Sequence, residues 1–139
     1  MAHITYATDQ PAGVLSAADP SVAALFEQGD REGLIVNINS WDDDSSFVGS
    51  RVVNWDPYSA LETTSGGSQS PALGLFHEMV HAFGDPRVPV YPLDNGYDDT
   101  EEYRVIANYE TPLATELGES VRYDHRPTPT YRVPCSTCR

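Results

Sequence analysis

The 139-residue chain contains no lysine, and its eight arginines stand against twenty-one carboxylates, giving a formal net charge of −13. A surface this acidic repels phosphate backbones and anionic lipid, so nucleic-acid and membrane-surface binding are not expected. No apolar run reaches the length of a transmembrane helix, so membrane insertion is not expected either. Met1 to Gln10 has no basic patch followed by an apolar stretch, so no secretory signal peptide is visible. Export would then need a specialised secretion system or a larger carrier chain. Cysteine is scarce: Cys135 and Cys138 are the only two. They support no disulfide framework, and a CxxC near the end with no second ligand pair reads as a pair of tail thiols.

What remains is globular. Hydrophobic residues make up 40% of the chain, enough for one core, and the length suits a single domain over 1–139. No internal repeat or low-complexity tract divides it. A short strand is expected at His3–Ala7. Asp19-Pro20 reads as an N-cap and first helical residue, with Val22, Ala23, Leu25 and Phe26 as the apolar stripe and Gly29 as the stop. Gly33–Trp41 alternates as a strand, Asp42–Ser45 is a polar turn, and Ser46–Asp56 reads as the return strand of a hairpin. Tyr58–Gln69 reads as a Ser/Thr/Gly-rich loop. Ser70-Pro71 opens a strong helix to about Phe83, closed by Gly84. The Pro-rich stretch Asp85–Asp99 is a long loop, of the kind that carries function in a small domain. Helices over Thr100–Tyr109 and Pro112–Gly118 follow, then a proline-rich tail, 126–139. The order of elements predicts an α+β fold.

The chemistry lies on the helix after Ser70. His77-Glu78-Met79-Val80-His81 is an HExxH. On a helix, residues four apart share a face, so both imidazoles can reach one metal ion, and the glutamate can act as general base toward a water at that metal. Leu73, Phe76, Val80 and Phe83 form a separate, core-facing stripe. Gly74, about one turn before the histidines, leaves their face open. A catalytic zinc needs a third ligand and an open position. Glu101 and Glu102, in the first turn of the next helix, are the candidates; Asp85 is a weaker one. Asp99 with Glu102 would also make a box-like helix cap, a competing use of Glu102. Arg122, Tyr123 and His125 offer donors for a developing oxyanion, while a surface salt bridge is the competing reading of Arg122.

Three segments in order, PALGLFHEMVHAF (71–83), TEEYRVI (100–106) and YETPLATELGESVRYDH (109–125), resemble the NleD-like effector zinc metallopeptidases that bacteria inject into other cells, and more distantly the light chains of clostridial neurotoxins. The resemblance implies a small zincin-like domain in which a short β-hairpin or sheet packs on the HExxH helix and on further helices. It implies His77, His81 and Glu102 as zinc ligands, Glu78 as general base and Arg122 in transition-state stabilisation, with Glu101 a neighbour of the ligands. His125 stands where the family has tyrosine; it, or Tyr123, would take that role. The Arg51–Asp56 strand would be the sheet edge for an extended substrate. Partners would be a protein substrate in a target cell and, for a bacterial target, an immunity protein. A lysine-free chain would offer no side-chain ammonium to ubiquitin there. Two other classes compete: a non-catalytic, zinc-stabilised binding module closed by His125 or Asp85 as fourth ligand, and a metal-free acidic interaction domain.

Overall fold

The computed structural model describes residues 24, 27, 28, 31–38, 45–49 and 51–139. The expected strand at 3–7, the apolar stripe of the 19–29 helix and the 42–44 turn lie outside them. Arg31 and Glu32 are helical, and Gly33, at φ 73°, ends that stretch.

Two three-stranded sheets flank one long helix. The first sheet contains β1 (Ile35–Ile38), β2 (Ser46–Gly49) and β3 (Val52–Trp55) in the order β1-β3-β2. This corrects the expected hairpin of 33–41 with 46–56. The chain reverses inside the second segment, at Gly49 (φ 92°) and Arg51 (φ 64°), so β2 and β3 form the antiparallel pair and β3 runs parallel to β1. Burial gives the reason. Val53 and Trp55 are fully buried, whereas Ile35, Ile38, Phe47 and Val48 are exposed. The strand with the most apolar area to hide takes the centre, and the other two take the edges.

The second sheet comes from segments that read as irregular. β4 (Ser59–Thr63) and β5 (Gly67–Gln69) form a hairpin through Gly66 (φ 82°). The small, polar residues of 58–69 give no apolar alternation, so the expected loop is in fact this hairpin. β6 (Thr130–Arg132), from the supposed tail, pairs antiparallel with β4. Asp56 is fully buried, and Arg132 meets its carboxylate at 2.6 Å. A buried carboxylate needs such a partner, and only residues of the tail region supply this one.

The long helix, α1 (Pro71–Ala82), matches expectation. Ser70 caps it by accepting from the Leu73 N–H, Pro71 fills the first turn, and the Phe83 N–H closes it on Met79 O. Its Ala72, Leu73, Leu75, Phe76, Met79 and Val80 join Leu34, Val53, Trp55, Val105, Leu113 and Ala114 in one core. Trp55 Nε1 donates to Pro71 O at 2.8 Å, which ties β3 to the start of α1. The last helices are one continuous path: α2 (Thr100–Val105), a π-helical turn at Ile106–Glu110, and α3 (Thr111–Leu117). The Thr111 N–H bonds Ile106 O, five residues back. Pro112 follows at once; it has no N–H and its ring crowds the preceding turn, which the wide turn relieves. A left-handed Gly118 (φ 68°) ends α3.

The cysteines depart from expectation. Cys135 and Cys138 are joined in a disulfide rather than standing as thiols. Inside that small loop Ser136 is fully buried, and its carbonyl accepts the Ala72 N–H at 2.8 Å. That N–H is one of the donors a helix start leaves unpaired. The 126–139 stretch is thus a docked strand and cap. Replacing both cysteines by serine frees a short loop in the unfolded chain, so stability should fall by about 2 kcal/mol. Urea melts of the variant and the oxidised wild type would show it; an unchanged midpoint would mean the loop holds nothing.

Candidate metal centre

α1 and α2 present their ligands to each other because each is anchored at its start. Asp99 caps α2 by accepting from the Glu101 and Glu102 N–H groups. The cap therefore uses the Glu102 backbone and leaves its carboxylate free to face α1, which resolves the competition between capping and ligation. His77 Nε2 and His81 Nε2 are 3.1 Å apart. Glu102 Oε1 is 3.1 Å from His81 Nε2, and Oε2 is 3.3 Å from His77 Nε2. Together they form a cluster that can hold a metal ion. Glu102 completes it, not Glu101.

The donor set fits a divalent cation. Glu102 Oε2 is buried and, although close to His77, makes no hydrogen bond. It is an orphan oxygen beside two converging imidazole nitrogens, a set suited to zinc or a similar ion. The titration of these groups says the same. Burial disfavours the charged His77, yet the Glu102 and Glu110 carboxylates outweigh it and raise its pKa to about 9. Burial likewise opposes the Glu102 carboxylate, but His77 and His81 hold its pKa well below the usual range. The site demands positive charge, from protons or from a cation, and the two compete.

Behind His77 stands a residue that sequence reasoning did not single out. Glu110 is 1% exposed. Its Oε2 meets His77 Nδ1 at 2.7 Å, and its Oε1 accepts from Gln69 Nε2 at 2.7 Å. Arg122 clamps both oxygens, through Nε at 2.9 Å and Nη2 at 2.5 Å. Burial would neutralise Glu110; Arg122 and His77 keep it ionised. The carboxylate takes the Nδ1 proton and so turns Nε2 toward the cluster. The π turn makes this possible. In a straight α-helix two residues eight apart, such as Glu102 and Glu110, differ by about 80° around the axis. A wider turn winds less per residue and brings both carboxylates toward α1. The only sequence signal was Pro112, two residues on.

The remaining candidates divide. Glu101 backs His81, at 3.4 Å from Nδ1, while Arg104 holds its other side and lowers its pKa. Arg122 is no surface ion pair: it is largely buried against Glu110 and reaches the cavity wall. His125 reaches the cluster, with Nε2 3.5 Å from Glu102 Oε2 and its ring stacked 5.9 Å from His77. Asp98 fixes it through Nδ1 at 2.7 Å. Tyr123 is 69% exposed and does not line the cavity, which removes it as an oxyanion donor. Asp85 is spent on exposed Arg87, away from the cluster, and is no ligand.

The cluster opens into a cavity of about 730 Å³. Glu78 lines it; burial raises its pKa, and the Phe47 N–H bonds its carboxylate. Phe47 also lies over His81, with ring centroids 6.3 Å apart. The strand at the rim is therefore β2, an edge strand. The expected edge, 51–56, holds β3 at the sheet centre, where both its sides are already paired. No family model matches the chain, and no match is found among curated proteins or solved structures.

Substituting Glu110→Gln removes the carboxylate that orients His77. Zinc affinity, measured by competition with a chromogenic chelator, should fall 10- to 100-fold. An unchanged affinity would show that His77 needs no such orientation.

Proposed function

We propose that this chain is a zinc endopeptidase with a zincin-like site, as its resemblance to NleD-like effectors implies. The observation that carries the proposal is the placing of Glu78 in the same open cavity as the His77, His81 and Glu102 cluster, under the free edge of β2. Zinc bound there supplies Lewis acidity for carbonyl polarisation and water activation. The chain's own residues do the rest. An extended substrate adds to β2 by backbone hydrogen bonds, which sets its scissile carbonyl over the cluster. Glu78 takes a proton from the attacking water and returns it to the leaving amine; its raised pKa suits both transfers. His125, held by Asp98, donates to the developing oxyanion. Arg122 and Glu110 hold His77 in place.

The wider reading follows the same resemblance: an effector or toxin domain, delivered by a specialised secretion system or a larger carrier, that cuts a protein inside a target cell. An immunity protein would accompany a bacterial target. The nearness of His125 to Glu102 favours one alternative, a non-catalytic centre closed by His125 as fourth ligand. The open cavity weighs against it, because a structural zinc leaves no coordination position free.

Glu78→Gln keeps all three ligands and removes the base. It should retain one zinc per chain and lose cleavage by at least about 100-fold. Metal analysis of both proteins, with terminal-peptide profiling of cell proteins exposed to each, would test this. A zinc-free wild type, or cleavage undiminished in the variant, would overturn the reading.

A further inference from the structure

Gly74 sits inside α1, one turn before His77 and Glu78 on the same face. Glycine inside a helix is unfavourable relative to alanine, and such a residue usually has a packing reason. Here there is none. A Cβ built on Gly74 would find only Ser45 Oγ, at 3.8 Å, an ordinary contact. By contrast, Gly67 is forced: a Cβ there would strike Ser120 at 2.7 Å. What Gly74 leaves open is the cavity itself. Around it stand Ser45, Ser59, Leu61, Gln69 and Ser70, from β4, the end of β5 and the cap of α1. None carries a charge. The opposite end of the same cavity is different, with Asp98, His125 and Arg126.

We propose that Gly74 is the floor of a side-chain subsite that selects an uncharged residue of leucine or glutamine size beside the scissile bond. The proposal rests on the zinc peptidase reading above. One helical turn advances about 5.4 Å, and an extended peptide advances about 3.3 Å per residue. A side chain entering over Gly74 therefore belongs to a residue within one or two of the bond held over the cluster. Leu61 offers apolar contact, and the serine hydroxyls and the Gln69 amide tolerate a polar tip. A carboxylate would enter an uncharged wall beside Glu78, without a counter-charge. β4 carries Ser59 and Leu61 on one face, as its period of two requires. The second sheet is thus a specificity wall, and its pairing with β6 fixes that wall in place.

The test uses zinc-loaded full-length protein and peptide hydroxamates that differ only in the side chain next to the hydroxamate: glycine, leucine, glutamine, aspartate or arginine. Affinities are read by calorimetry, without turnover. Wild type should bind the leucine and glutamine compounds at least tenfold more tightly than the glycine and aspartate ones. Gly74→Leu fills the subsite and should reverse the leucine-over-glycine ratio. Gly74→Ala, which a helix favours, should fold at least as well as wild type and reduce that ratio about threefold. A wild-type ratio below threefold, a preference for arginine or aspartate over leucine, or a ratio unmoved in both variants would overturn the subsite. If even the glycine compound binds wild type no better than a Glu102→Gln variant, the zinc reading itself fails, and the subsite with it.

Discussion

The buried carboxylate of Glu110 is the constraint around which this molecule is arranged. An ionised group that is 1% exposed must have its charge and both oxygens satisfied. Three separate parts of the chain converge to do so: Gln69 from the end of β5, Arg122 from the segment after α3, and His77 from α1. Losing one partner would leave a buried charge uncompensated. The π turn, the left-handed Gly118 that redirects the chain after α3, and the docking of 119–125 against the second sheet are consistent with one requirement. They deliver Arg122 and Glu110 to the back of His77.

That requirement links folding to the metal centre. His77 is turned by Glu110 and His81 is backed by Glu101, so each imidazole has a carboxylate behind it. The two supports differ in strength. Glu110 is buried and clamped, whereas Glu101 is partly exposed and shares its charge with Arg104. His77 is the rigid ligand of the pair. Net charge takes on a local meaning here. Many of the carboxylates behind the −13 are solvated, but Glu78, Glu102 and Glu110 surround a point where a cation is favoured.

The tail and the second sheet serve the same helix from its other end. Ser136 O accepts the Ala72 N–H, and Glu119 accepts from both the Ser70 N–H and its hydroxyl. The start of α1 is thus fixed by residues distant in sequence. The helix bearing the HExxH can then hold its histidines still at one end while Gly74 leaves room at the other. β2, bonded through Phe47 to Glu78, joins the rim of the cavity to the helix face.

Local chemistry made α1 legible from the sequence: Ser70, Pro71, the 3-4-3 apolar spacing and the HExxH each act within a few residues. The same holds for Asp99 and the Glu101-Glu102 pair at the start of α2. Those features determined a helix that could carry ligands, a second helix to complete them and an α+β order. The rest required contacts across the chain. Nothing in its neighbours tells whether a lone glutamate such as Glu110 is solvated or buried, because that depends on Arg122 and Gln69 arriving from elsewhere. β3 took the centre of its sheet because Val53 and Trp55 had the most area to hide, a comparison between strands that no single strand contains. β4, β5 and β6 lack apolar alternation and exist through pairing, and the Cys135–Cys138 loop gains its place by capping a helix more than sixty residues away. Hydrogen bonding at fixed spacing is written locally; burial is decided only when the whole chain has closed on itself.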